Sequence, residues 1–123
     1  AMGAYYYGWM VNIPSNLTEK EYLSARLYYN LGTYLGNNYL SAEIIAKNAL
    51  KDYPTNQYQE ELNWLILQSK YQQMLNSIDT KKEDRARETE DEYYNFITEY
   101  PDYKHRNAAE RIGKEDKKIT HAL

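Results

Sequence analysis

The sequence predicts an all-α fold of antiparallel helical hairpins stacked into a short array, and three observations predict it. First, the run Asn48-Ala49-Leu50-Lys51-Asp52-Tyr53-Pro54-Thr55-Asn56 recurs in kind as Asn95-Phe96-Ile97-Thr98-Glu99-Tyr100-Pro101-Asp102. A prolyl ring cannot extend a helix and pushes the residue before it out of the α region, so each copy reads as a helix-to-helix corner. Pro54 and Pro101 lie 47 positions apart, longer than a repeat of about 34 residues, which leaves room for an insertion in one unit. Second, apolar residues recur at spacings of three and four through most of the chain. Third, the segment between the corners carries two apolar stripes, as a helix held between neighbours on both sides would.

Each element follows from local signals. Tyr5-Tyr6-Tyr7-Gly8-Trp9-Met10-Val11 is too aromatic to be left in water, yet Gly8 and Pro14 limit it to a helical turn or two. Residues 1–17 are therefore expected to be a remnant packing on the array, with Ala1-Met2-Gly3-Ala4 resembling a cloning remnant. Residues 18–123 are the helical domain.

Thr18-Glu19-Lys20-Glu21 has capping-box spacing and predicts a helix start. Tyr22, Ala25, Tyr28, Tyr29 and Leu31 carry that helix to Leu35, where Gly36-Asn37-Asn38 supplies a cap and turn. The second helix, Tyr39 to Lys51, sets Ala42, Ala46 and Ala49 on one face, which lets a neighbour approach closely. Ala46 is expected to be buried where two helices touch.

Asn56 caps the third helix, Glu60 to Asn76. One stripe runs through Leu62, Leu65, Ile66, Ser69 and Gln73, the other through Trp64, Leu67, Tyr71 and Leu75. The stretch Asp79 to Glu88 is almost wholly charged and reads as a solvated start to the fourth helix, with Lys81 and Arg85 set against Glu83 or Glu88. Tyr93, Phe96 and Ile97 resume the apolar face. Asp102 caps a last helix from about Tyr103, which carries Ala108, Ala109, Ile112 and Ile119 on one side and a polar outer face suited to ending an array.

Composition narrows the function. A chain of 123 residues, 42% apolar, is long enough for one domain with a core. Its net charge of −3 gives no field to hold a nucleic-acid backbone or an anionic membrane surface. The absence of cysteine excludes thiolate metal sites and thiol nucleophiles. No apolar run approaches the roughly 18 residues that cross a bilayer, so this piece is expected to be soluble.

The only histidines, His105 and His121, fall in polar stretches, are expected to be exposed, and offer no catalytic constellation. Glu88 and Glu92 lie four apart on a helix but lack the Glu-x-x-His partner of a carboxylate metal site. The expectation is therefore a non-enzyme without cofactor or metal. Fifteen tyrosines suit packing and interfaces alike, since each joins a large apolar area to one polar tip. Tyr34, Tyr39 and Tyr58 are the ones expected to be exposed near a groove.

Against the tetratricopeptide pattern, Tyr28-x2-Leu31-Gly32-x2-Leu35, Ala42-x3-Ala46 and Pro54 form one unit. Trp64-x2-Leu67-Gln68-x2-Tyr71, Thr89-x3-Tyr93 and Pro101 form a second, with about nine extra residues between its helices. The fold this implies is a short right-handed α-solenoid of two repeats and a C-terminal capping helix.

Tyr29-Asn30-Leu31-Gly32, Leu50-Lys51-Asp52-Tyr53-Pro54 with Tyr58-Gln59-Glu60-Glu61-Leu62, and Phe96-Ile97-Thr98-Glu99-Tyr100-Pro101 further resemble the C-terminal repeats of BamD-type outer-membrane assembly lipoproteins of the Bacteroidetes form, over about residues 22 to 112. The family's lipidated cysteine and upstream repeats have no counterpart here. The resemblance implies a protein-binding scaffold at the periplasmic face of the outer membrane, tied to the membrane only through a lipid anchor outside this chain. Its partner would be the barrel-forming assembly subunit. Arg85, Arg87, Arg106, Arg111 and Lys114 are the residues expected to meet that partner, because a guanidinium pairs a carboxylate through two parallel hydrogen bonds. The alternatives are a glycan-binding lipoprotein module similar to SusD, which displays aromatic residues to sugars, and a generic tetratricopeptide adaptor.

Overall fold

A computed structural model describes residues 2–102 and 105–121, and residues 2–16 as backbone alone. Among these residues the chain is all helix: α1 (Met2–Leu31), α2 (Asn38–Asp52), α3 (Gln59–Leu75), α4 (Asp79–Glu99) and α5 (Arg106–Thr120). Each helix packs on the next in sequence. In addition α1 touches α3 and α3 touches α5, whereas α2 and α4 do not meet. The odd-numbered helices therefore make one continuous layer, and the even-numbered ones line the other side without closing on each other.

Both proline corners are present. α2 stops at Asp52 and α3 starts at Gln59, with Pro54 exposed between them. Asn56 organises this corner rather than capping a helix: its Nδ2 donates to Tyr53 O at 2.6 Å and its Oδ1 accepts from Tyr58 N at 2.7 Å. At the second corner α4 ends at Glu99, and Arg106 Nη1 donates back to Pro101 O at 2.9 Å. The N-cap position of α5 is His105, not Asp102, and its side chain makes no capping hydrogen bond. The expected helix start at Tyr103 lies outside the described residues.

The N-terminal half departs from expectation. α1 runs unbroken from Met2, so Gly8 and Pro14 lie within a helix and Thr18 is mid-helix, buried, instead of capping its start. A proline inside a helix removes one backbone bond, which a helix can absorb as a kink without ending. Whether the aromatic run packs on the array depends on side chains outside the described residues.

The same helix stops at Leu31, four residues sooner than expected, because Gly32 takes φ +59°. That left-handed conformation turns the chain, and Asn38 N then donates to Gly32 O at 3.0 Å. Asn37 caps α2 by accepting from Leu40 N at 3.1 Å.

Two clusters flank α3. On one side Leu62, Leu65 and Ile66 pack with Ala25, Ala46 and Ala49, and on the other Trp64 and Leu67 pack with Tyr93, Phe96, Ala109 and Ile112. Ala42, Ala46 and Ala49 are all buried, as the spacing predicts, and so are both stripes of α3 except at their ends. Leu75 is exposed and Met74 takes the buried place in that turn.

The charged stretch at 79–88 is a regular part of α4, reached by a short turn after Leu75. It is not wholly solvated: Ala86 is fully buried and Arg85 donates to Ser77 Oγ at 2.6 Å instead of pairing with Glu83 or Glu88. Polar ties cross the two faces of α3, with Gln73 Nε2 donating to Glu43 on α2 at 2.7 Å and Lys70 meeting Glu92 on α4 at 3.0 Å.

α5 approaches α4 closely because Gly113 has no side chain. A Cβ there would lie 2.6 Å from the buried Tyr93 ring. Gly113→Ala is expected to push the helices apart and cost about 1–3 kcal/mol, the range for overpacking a filled contact. Chemical denaturation would show this as a lower midpoint, and an unchanged midpoint would place α5 elsewhere.

The two ends of the array differ. Leu23, Leu27, Leu40 and Ile44 are exposed on α1 and α2, while the outer face of α5 shows Arg111, Lys114, Glu115 and Lys118. No described helix is long and apolar enough to cross a membrane.

Candidate functional site

The layer of odd-numbered helices holds a cleft of about 340 Å³. α1 contributes Tyr22, Arg26, Tyr29 and Asn30 to it. α3 contributes Glu61, Trp64, Leu65 and Gln68, and the corner before α5 contributes His105. The helical repeat produces this wall directly: Tyr22 and Arg26 lie four apart, as do Glu61 and Leu65 or Trp64 and Gln68, so each pair shares a face.

The aromatic rings in the cleft are held by other side chains. Tyr22 is stacked on Tyr58, with centroids 4.6 Å apart and planes 15° from parallel, and the Arg26 guanidinium lies 5.6 Å from the Tyr22 centroid. Trp64 is stacked on the His105 ring at 5.0 Å and 11°, and meets Phe96 at 5.7 Å. Tyr29 meets Tyr39 edge to face at 5.3 Å. Burial pushes the Tyr29 hydroxyl above its usual pKa, against the opposing effect of its hydrogen bond with Gln72. The rings are consequently rigid walls rather than free platforms.

The polar groups differ in how far they are satisfied. His105 Nε2 stands 3.6 Å from Glu61 Oε2, and both line the cleft. Arg26 is exposed, and no carboxylate among the described residues pairs with it. Next to it, Asn30 and Gln68 add amides that can both donate and accept. Among the described residues the cleft thus presents the Arg26 guanidinium, two amides, the Glu61 carboxylate facing His105 and apolar ring edges, groups that can hold a polypeptide segment with an acidic residue against Arg26.

The residues expected to bind from sequence do not form one patch. Arg85 is half-buried and engaged with Ser77, and Arg87 pairs with Glu83 at 2.6 Å. Arg106 pairs with Glu110 at 2.9 Å at the opposite end of the α4–α5 hairpin, roughly 20 Å away along α4 at 1.5 Å per residue. Arg111 and Lys114 are exposed on α5 between these ends.

Of the tyrosines, Tyr34 stands out in solvent, 68% exposed, in the turn after α1. Tyr39 packs on Tyr29 and under Gly32, and Tyr58 buttresses Tyr22 from behind. These two support the cleft without lining it. Glu92 is tied to Lys70 and Glu88 points to solvent, so their helical spacing brings no metal ligands together.

His105 was expected in an exposed polar setting and is instead half-buried against Trp64. Sequence reasoning also passed over Arg26, although its place one turn after Tyr22 was the available signal. A scan of protein-family models finds no match to this chain, and a search of curated proteins finds no significant match either.

Proposed function

We propose that this chain is a non-catalytic protein-binding scaffold of the tetratricopeptide type, a short right-handed α-solenoid whose odd-numbered helices grip a segment of a partner protein. The observation that carries the reading is the cleft on that layer, where Arg26, paired with no carboxylate among the described residues, lies by the Tyr22 ring and lines the same wall as two amides. A partner carboxylate reaching Arg26 would gain a charge-assisted, two-pronged contact on a guanidinium that no acid among the described residues already occupies. The alternation of touching odd helices and separated even helices supports the solenoid reading.

By its resemblance to BamD-type lipoproteins, the partner is the barrel-forming subunit of the outer-membrane assembly machinery, met at the periplasmic face. Glycan binding of the SusD kind is less well supported. Sugar recognition uses open aromatic faces, whereas Tyr22 is covered by Tyr58 and Arg26, and Trp64 by His105 and Phe96.

Arg26→Glu tests the assignment without disturbing the core, because Arg26 is exposed. The expected result is at least a tenfold loss of affinity for the periplasmic domain of the assembly subunit, measured calorimetrically at low salt, with an unchanged circular dichroism melt. Retained affinity would remove Arg26 and its cleft from the interface.

A further inference from the structure

Asp116 is the odd residue in the seam between α4 and α5. It lies on the face of α5 that also carries Ala109, Ile112 and Gly113, and its side chain is fully buried. Among the described residues neither carboxylate oxygen has a hydrogen-bond partner. The charged group facing it from α4 is Glu90, another acid, and Tyr71 faces it from α3. Its own helix brings Glu115, Lys117 and Lys118 in the adjoining positions, with His121 just beyond the end.

None of these neighbours satisfies the carboxylate. Glu90 instead accepts from Thr120 Oγ1 at 2.9 Å and stands 3.2 Å from His121 Nε2, and buried Thr89 donates to Arg85 O at 2.8 Å. Lys117 turns to the Tyr94 ring and Lys118 to Glu115. A carboxylate held dry, unpaired and beside a second carboxylate is strongly disfavoured as the anion, whereas the neutral acid carries no charge to desolvate.

We propose that Asp116 makes the seating of α5 on α4 depend on pH, holding the C-terminal helix firmly in acidic solution and loosening it toward neutrality. The sign follows from proton linkage. Burial, with Glu90 second, pushes the Asp116 carboxyl up to about 7 in the folded protein, above its ordinary value of 3.8. The folded state therefore holds a proton that the unseated helix releases, so stability is fully present at low pH, falls as pH rises between these two values, and levels off above about 7.

The consequence reaches the cleft, because α5 begins directly after His105, the residue stacked on Trp64. The pH dependence itself does not rest on what the cleft binds.

Amide hydrogen exchange on the whole chain between pH 5 and 8 tests this. Protection factors in α5 are expected to fall up to about tenfold per pH unit from pH 5 to 7 and then flatten, while those in α3 change much less. Asp116→Asn is expected to abolish that slope and to raise α5 protection at pH 7.5 at least tenfold. His121→Gln, which removes only the imidazole facing Glu90, is expected to keep the slope.

A slope that persists in Asp116→Asn would overturn the proposal, as would one lost in His121→Gln. Should the Asn variant not fold, carbon-13 detection of the Asp116 carboxyl in the unaltered protein decides the matter. A titration midpoint near 7 supports the proposal and one near 4 overturns it.

Discussion

Replacing Trp64 with alanine is expected to cost about 3–5 kcal/mol, the range for removing a large aromatic side chain from a packed core. Trp64 is 6% exposed and joins two structures at once. Its indole packs with Tyr93, Phe96, Ala109 and Ile112 between α3, α4 and α5, and its face holds the His105 ring at the cleft. Its removal leaves a cavity that helices tied at two corners cannot close fully. Urea unfolding would report the loss as a shifted midpoint with an unchanged slope, and hydrogen exchange would show α4 and α5 opening first. A cost below about 1 kcal/mol would mean that the second cluster is not packed as described.

Leu62→Ala is the counterpart on the other side of the helix, expected to cost about 2–5 kcal/mol. Leu62 is fully buried among Ala25, Ala46, Ala49, Leu65 and Ile66. The small residues opposite it matter to the size of the effect. Alanines have no side chain long enough to swing into the space a leucine vacates, so the cavity persists. Because helices in such an array contact mainly their neighbours, the opening is expected first in α1 and α2, the reverse of the order for Trp64→Ala. Identical exchange patterns in both variants would indicate one undivided core.

These two residues also show why part of the fold was legible in the sequence. Leu62 and Trp64 are two positions apart and so face different sides of a helix, and a segment apolar on both sides has to be enclosed. The corners at Pro54 and Pro101 were equally legible, because ring geometry and the missing amide act on the residues beside them whatever the tertiary context.

The signals that misled were those that a longer-range arrangement can override. Thr18 and Glu21 have the spacing of a capping box, but spacing cannot say whether the residues upstream are already helical. In the same way, apolar residues up to Leu35 continued the helical period, and one glycine at positive φ ended the helix at Leu31.

The candidate site was less legible than the fold. Arg85 and Arg106 were grouped by chemistry, and the hairpin that carries them sets them at opposite ends with partners of their own. His105 looked like a solvated residue after a proline, and only the return of α5 along α3 brings it onto Trp64. Arg26 sits in an ordinary mixed helical stretch. What distinguishes it is that no carboxylate among the described residues pairs with it, although Glu61 lines the same cleft, and no sequence pattern records that.

The proposed function turns on which face meets a partner, and chemical-shift mapping of the isotope-labelled chain titrated with the periplasmic domain of the proposed partner, the barrel-forming subunit, tests that most directly. The predicted result is perturbation concentrated on Arg26, Tyr29, Asn30, Gln68, the Trp64 indole and His105, lost in Arg26→Glu. Perturbation confined to the exposed leucine face at Leu23, Leu27 and Ile44, or to the outer side of α5 at Arg111 and Lys114, would contradict it.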